Sequence, residues 1–170
     1  MIEPANINAP VVNASLADGD STAQLVTVHV GGQLFGIPIL QVRDVFIVQS
    51  VTPVPSAPPS VEGLFNLRGR VITMLSMMAI LGQPRGQESA SGEKAAMTAI
   101  GIEWQSEAYG LLVDKIGEVM SLDQSRREAN PTNLDQRWAA ISAGVYRLDN
   151  SLLVEISLEA LFRGTLRAAA

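Results

Sequence analysis

The chain has 170 residues, 47% of them hydrophobic, no cysteine and a net charge of -5, enough for one domain or two small barrels packed together. The acidic balance leaves too little positive potential to hold a nucleic-acid backbone, and the lack of cysteine excludes disulfides, thiolate nucleophiles and zinc-thiolate sites. No run approaches the ~18 apolar residues of a membrane span and no basic residue precedes an apolar run at the N-terminus, so the reading is a cytoplasmic protein without membrane insertion.

Residues 1–22 are rich in Ala, Asn, Asp and Ser without periodicity and read as a disordered tail. Within the tail, Asp18-Gly19-Asp20-Ser21 has the opening of a calcium loop. Thr22 falls at its fifth position and no glutamate at its twelfth, so no metal site is assigned. From Leu25 the residues Leu25-Val26-Thr27-Val28-His29-Val30 carry the period of two expected of a strand. His29, the only histidine, is taken as structural. Phe35-Gly36-Ile37 and Val42-Arg43-Asp44-Val45 follow, and Asn66-Leu67-Arg68-Gly69 puts a guanidinium at a strand end before a glycine turn. The strand Val71-Ile72-Thr73-Met74-Leu75 leads into Ser76 and an apolar set of Met77, Ile80 and Leu81, the pattern of a short serine-capped helix. Gly82 to Ala95, rich in Gly, Gln, Ser and charge, reads as a flexible connector. Arg126-Arg127 and Arg137 lie among carboxylates and read as a solvated loop. Glycine-rich phosphate loops, nucleophile elbows and triad arrangements are all absent, so neither an enzyme nor a cofactor is expected.

Slid against itself, the chain aligns with itself twice without a gap. Gln24 to Phe46 matches Thr98 to Met120, with Val42 opposite Ile116 and Asp44 opposite Glu118; Gly63 to Leu81 matches Gly144 to Phe162, with Ser76 opposite Ser157. Gly69 and Asn150 both fall where a strand must turn, and both residue types tolerate positive φ. Because turns and caps recur along with hydrophobic alternation, duplication outweighs chance. The prediction is a mainly β protein of two small barrels related by a pseudo-two-fold axis, each with a short helix. The boundaries are a tail over 1–22, a first barrel over about 23–82, a connector over about 83–95, a second barrel over about 96–163 and a tail over 164–170.

Taken together, Phe35-Gly36-Ile37, Val42-Arg43-Asp44-Val45, the approach Pro58-Pro59-Ser60-Val61-Glu62-Gly63 and Asn66-Leu67-Arg68-Gly69 resemble the CheW-like domains of bacterial chemotaxis, as do Gly110 to Val119 and Gly144 to Asp149. The chain departs from the family pattern at Ser76 and Ser157, where the family often has aspartate, and at Glu155, in a strand that is otherwise apolar. The resemblance implies five-stranded SH3-like barrels and a non-enzymatic adaptor without cofactor. Its implied partners are the cytoplasmic tip of a chemoreceptor and the regulatory domain of a CheA-type histidine kinase, in arrays at the membrane. It places Val26, Ile39, Val42, Asp44, Arg68 and Ile116 on the receptor groove, with Asp44 and Arg68 paired at its rim, and Val48, Val51 and Val54 on the kinase contact. The repeat adds that Val42 and Ile116, as equivalent positions, should meet at one seam. Two other readings share the fold: a scaffold for surface motility or second-messenger control, and a barrel that binds a small molecule.

Overall fold

The computed structural model describes residues 21–83 and 96–168, with side chains as far as Thr165. Nearly all of the expected tail and connector therefore lies outside the described residues. Among the described residues, ten strands and three α-helices follow in chain order. The first half holds β1 (Thr22–Val30), β2 (Gln33–Pro38), β3 (Val42–Val48), β4 (Val61–Leu67), β5 (Arg70–Ser76) and α1 (Met77–Ile80). The second holds β6 (Met97–Trp104), β7 (Glu107–Val113), β8 (Lys115–Asp123), α2 (Gln136–Ile141), β9 (Ser142–Arg147), β10 (Leu152–Ile156) and α3 (Leu158–Ala168).

The strands form two five-stranded sheets in the orders β8-β1-β2-β10-β9 and β3-β6-β7-β5-β4. The repeat is thus real, but its halves are interleaved. Each sheet takes the first hairpin of one repeat and inserts it between strands of the other, so the expected boundaries of about 23–82 and 96–163 do not enclose separate sheets. The reason lies in edge satisfaction. Hairpin β1–β2 has two open edges, and these pair antiparallel with β8 and parallel with β10, whereas β6–β7 pairs with β3 and β5 in the same way.

The correspondence extends to irregularities. The ladder breaks between Val42 and Asp44 against β6, and again between Val26 and Val28 against β8. Single bridges join Thr52 to Leu64 and Glu128 to Val145 at matching places. Gly63 (φ 153°) and Gly144 (φ 149°) occupy the same backbone conformation, which only glycine adopts readily. At Gly63 a Cβ would lie 2.3 Å from the carbonyl oxygen of Thr52, so the bridging segment passes where a side chain would stand. The two predicted serine caps form, with Ser76 and Ser157 each accepting from the amide three residues on, at 3.2 Å. Asn150, by contrast, is absent from the residues at positive φ, because its turn between β9 and β10 is longer than the two-residue turn at Arg68-Gly69.

Three apolar clusters hold the fold. The central one draws on both sheets and includes Val28, Phe35, Ile37, Leu75, Ile100, Leu111, Val154 and Phe162. Each sheet also has its own cluster. Val48, Ile72, Met74, Ala99 and Leu112 belong to the sheet containing β5, and Leu25, Tyr146 and Leu153 to the sheet containing β10. Fully burying each such side chain contributes about 1.5–3 kcal/mol. The central cluster is closed unequally by the two helices of the repeat. α1 is one turn long, whereas α3 runs on to Ala168 through much of what was expected to be a tail over 164–170. Leu158, Leu161, Phe162 and Thr165 are buried along one side of α3, a Glu159–Arg163 ion pair spans one turn on its exposed side, and Phe162 stacks on Trp104.

Candidate functional site

The Arg68-Gly69 turn joins β4 to β5 with both residues left-handed (φ 51° and 85°), the pair of conformations a two-residue hairpin requires. Gly69 takes this at no cost, while Arg68 carries some strain. Asn66 stabilises the turn by accepting from the Gly69 amide at 2.9 Å. The turn leaves the Arg68 side chain 80% exposed, with Nη1 3.2 Å from Asp44 Oδ2. Asp44 follows the ladder break in β3, and its other oxygen accepts from the Val45 amide at 2.9 Å. Its carboxylate is therefore fixed on one side by its own backbone. The expected Asp44–Arg68 pair is present.

Beside this pair opens a cavity of about 370 Å³ between β3, β6, β7 and the β4–β5 hairpin. Ile72, Ile102 and Tyr109 give it an apolar floor, and Arg43, Arg68, Arg70, Asp44 and Glu103 surround it. The Tyr109 hydroxyl donates to Glu107 at 3.0 Å; burial, and then that hydrogen bond, hold its phenol above the usual range. Sequence reasoning passed over Arg43 and Arg70, since a strand arginine in isolation carries no signal.

The other expected groove residues divide by depth. Ile39, Val42 and Ile116 are half-buried and pack against the central cluster, so each keeps one face open. The equivalent strands β3 and β8 thus do bring Val42 and Ile116 to the same cluster, as the repeat required. Val26 belongs inside: it is 7% exposed and its side chain is part of that core. Leu40, beside Ile39 in the short turn after β2, is 89% exposed, and sequence reasoning had not singled it out.

Of the residues expected on a kinase contact, Val48 is fully buried in the cluster of its own sheet. The physical reason is the ladder break at Arg43, which shifts the alternation of β3 so that Phe46 and Val48 point to that cluster and not out. Val51 packs half-buried on the same cluster, and Val54 is exposed.

A second polar site lies inside the other sheet. Glu155 is buried at the position matching Met74, and Arg127 reaches it at 3.5 Å. Arg127 is exposed in its loop, as expected, but it also reaches inward to this carboxylate; its stem crosses Gly144, where a Cβ would come within 2.9 Å of it. The buried hydroxyl of Tyr146 has no hydrogen-bond partner among the described residues, and burial, then the Glu155 charge, raises its phenol above the usual range.

A family model described as the CheW-like domain matches residues 24–165. Among characterised proteins, the chemotaxis protein CheW of Treponema pallidum is 30% identical over 147 residues, 86% of this chain and 86% of that one. The protein of the same name from Rhizobium meliloti is 26% identical over 86% of this chain and 92% of its own. A crystal structure of the scaffolding protein TtCheW from Thermoanaerobacter tengcongensis superposes with a TM-score of 0.69 at 27% identity, covering 82% of this chain and 92% of that one.

Proposed function

The chain belongs to the CheW-like family of chemotaxis scaffolds, and from that premise we propose that it couples chemoreceptors to a CheA-type histidine kinase by binding both, without catalysing a reaction. The observation that supports the receptor side is the Asp44–Arg68 pair at 3.2 Å, its carboxylate on the strand that also carries the half-buried Val42, whose repeat equivalent Ile116 packs half-buried on the same central cluster. A receptor tip is a helical hairpin with a narrow apolar stripe, and a seam with one open apolar face on each of two equivalent strands suits it. Arg68, held by Asp44, then donates hydrogen bonds to the tip at the rim. Kinase contacts fall to Val51 and Val54, with Val48 supporting them from within. Holding receptor and kinase in one lattice lets a small receptor shift change kinase activity, which is a coupling of free energies and needs no chemistry in the adaptor. No described helix is long and apolar enough to cross a membrane; on this reading the protein is cytoplasmic and reaches the membrane through its receptor.

Arg68→Ala tests the proposal. The pair is exposed, so its loss should cost the fold only about 0–1 kcal/mol. Once a partner covers the pair and excludes water, truncating one member typically costs about 2–5 kcal/mol of binding. Calorimetry with a receptor-tip hairpin should therefore show a large loss of affinity at an unchanged melting temperature, with kinase binding retained. Normal receptor binding by this variant would remove Arg68 from the site.

A further inference from the structure

The fold is nearly two-fold symmetric, and the equivalent residues Val42 and Ile116 are both half-buried against the same central cluster, so the receptor seam of the reading above would be symmetric too. An apolar stripe alone would have little reason to prefer one direction along such a seam over the other. The charges around it are not symmetric. Arg43, Arg68 and Arg70 flank the cavity of the first half. Their counterparts under the repeat are Gly117, Asp149 and Ser151, while Glu118 matches Asp44. The second half therefore presents two carboxylates and no guanidinium at the matching positions. It has no room for an arginine at 117, since a Cβ there would stand 2.4 Å from Thr27 Oγ1, which donates to the carbonyl of Glu118.

Within the first half, Arg68 is engaged with Asp44, but neither Arg43 nor Arg70 has a carboxylate at ion-pairing distance among the described residues. With Arg68 set against Asp44, the cavity carries Arg43 and Arg70 against the single carboxylate of Glu103, and so stays net positive in an acidic protein. Open to water, such groups hold a free small anion weakly. Covered by a partner, they favour an acidic side chain in one place and penalise it in the mirror-related place, where Glu118 and Asp149 would repel it.

We propose that this charge asymmetry fixes the direction in which the partner docks: a helical segment with an apolar stripe lies along the seam and seats an acidic side chain between Arg43 and Arg70. The inference rests on the receptor reading above and adds the polarity of the complex and the chemistry of the contact.

The test uses the full chain and a soluble hairpin fragment of a chemoreceptor tip from the same genome. Arg43→Glu/Arg70→Glu should bind about tenfold more weakly at low ionic strength, with an unchanged melting temperature. The difference should narrow in high salt as screening shortens. The chain has no cysteine, so Leu40→Cys gives a single crosslinking site, and cysteines on either arm of the hairpin report direction. In the otherwise wild-type chain, Leu40→Cys should crosslink to one arm only. Leu40→Cys combined with Asp149→Arg/Ser151→Arg, which places guanidiniums on the second half, should crosslink to both. A hairpin that fails to bind wild type at any salt overturns the receptor reading together with this inference. Tight binding by wild type with equal binding by Arg43→Glu/Arg70→Glu, or with both arms crosslinked from the start, overturns the inference alone.

Discussion

Replacing Glu155 by methionine makes the second repeat match the first, where Met74 occupies the equivalent place, and the structure sets what this should do to stability. Glu155 is 8% exposed and its cation Arg127 stands 3.5 Å away, half in solvent. A carboxylate taken out of water is only partly compensated at that distance, and replacing a buried ion pair by apolar groups is often neutral or stabilising. Glu155→Met should therefore change stability by less than about 1 kcal/mol, or raise it. Arg127→Ala leaves the carboxylate buried and alone. Full burial of both partners would put the loss at about 3–5 kcal/mol, and the exposure of Arg127 reduces the expectation to about 1–3 kcal/mol. Made in the Glu155→Met background, the arginine truncation should cost little beyond the contact of its stem with Gly144. Urea unfolding of the four proteins gives the cycle directly. An Arg127→Ala loss that is the same in both backgrounds, or a Glu155→Met loss above about 2 kcal/mol, would refute the claim that the pair is an imperfectly compensated burial.

Gly63→Ala should be among the most damaging single changes, costing about 3 kcal/mol or more, since its Cβ would meet the Thr52 backbone and its φ is one alanine avoids; thermal melting checks it. Ser76→Ala and Ser157→Ala should each cost about 1 kcal/mol, and similar losses would follow from their equivalent caps. Tyr109 and Tyr146 both ionise at a higher pH in the folded than in the unfolded chain. Their contribution is complete below the unfolded phenol value of about 10 and is lost as pH rises from there through the folded values. Melting temperature against pH should fall over that alkaline range, and Tyr146→Phe should lessen the fall.

The repeat was legible because its strongest marks are local. The glycines at 63 and 144 and the serines at 76 and 157 each serve one backbone conformation or one amide, and they stand in the sequence at matching offsets. Strand partners were not legible. Alternation says that β1 has two faces, but says nothing of whether β3 or β8 lies at its edge, and only tertiary pairing resolves the exchange. The ladder break at Arg43 also escaped, and with it the parity of β3 that turns Val48, which the resemblance had put on the kinase contact, into the cluster of its own sheet. Arg127 and Glu155 are 28 residues apart and gave no pairing signal. Asp44 and Arg68 could be paired in advance only through the family resemblance, since nothing in their spacing brings β3 to the β4–β5 turn. Helix α2 was missed because it is short. Its mark was Asp135, whose carboxylate accepts from the Arg137 amide at 2.8 Å, and its role is to bring Trp138 onto Phe35.

The interleaving of the two sheets has a consequence for the chain as it is being made. Hairpin β1–β2 is synthesised well before its sheet partners: one of its edges waits for β8 and the other for β10, whose last residue is Ile156. At ~5–20 residues per second, the interval between the synthesis of β2 and that of β10 is on the order of ten seconds. During it the apolar faces of Val26, Val28, Phe35 and Ile37 lack the part of their native cover that Val154, Ile156, Leu161 and Phe162 supply, and an isolated two-stranded hairpin is only marginally stable in water. The first sheet cannot be finished before β9 and β10 are made, so the two halves are completed together as one cooperative unit, and the waiting hairpin exposes the kind of apolar surface that chaperones bind.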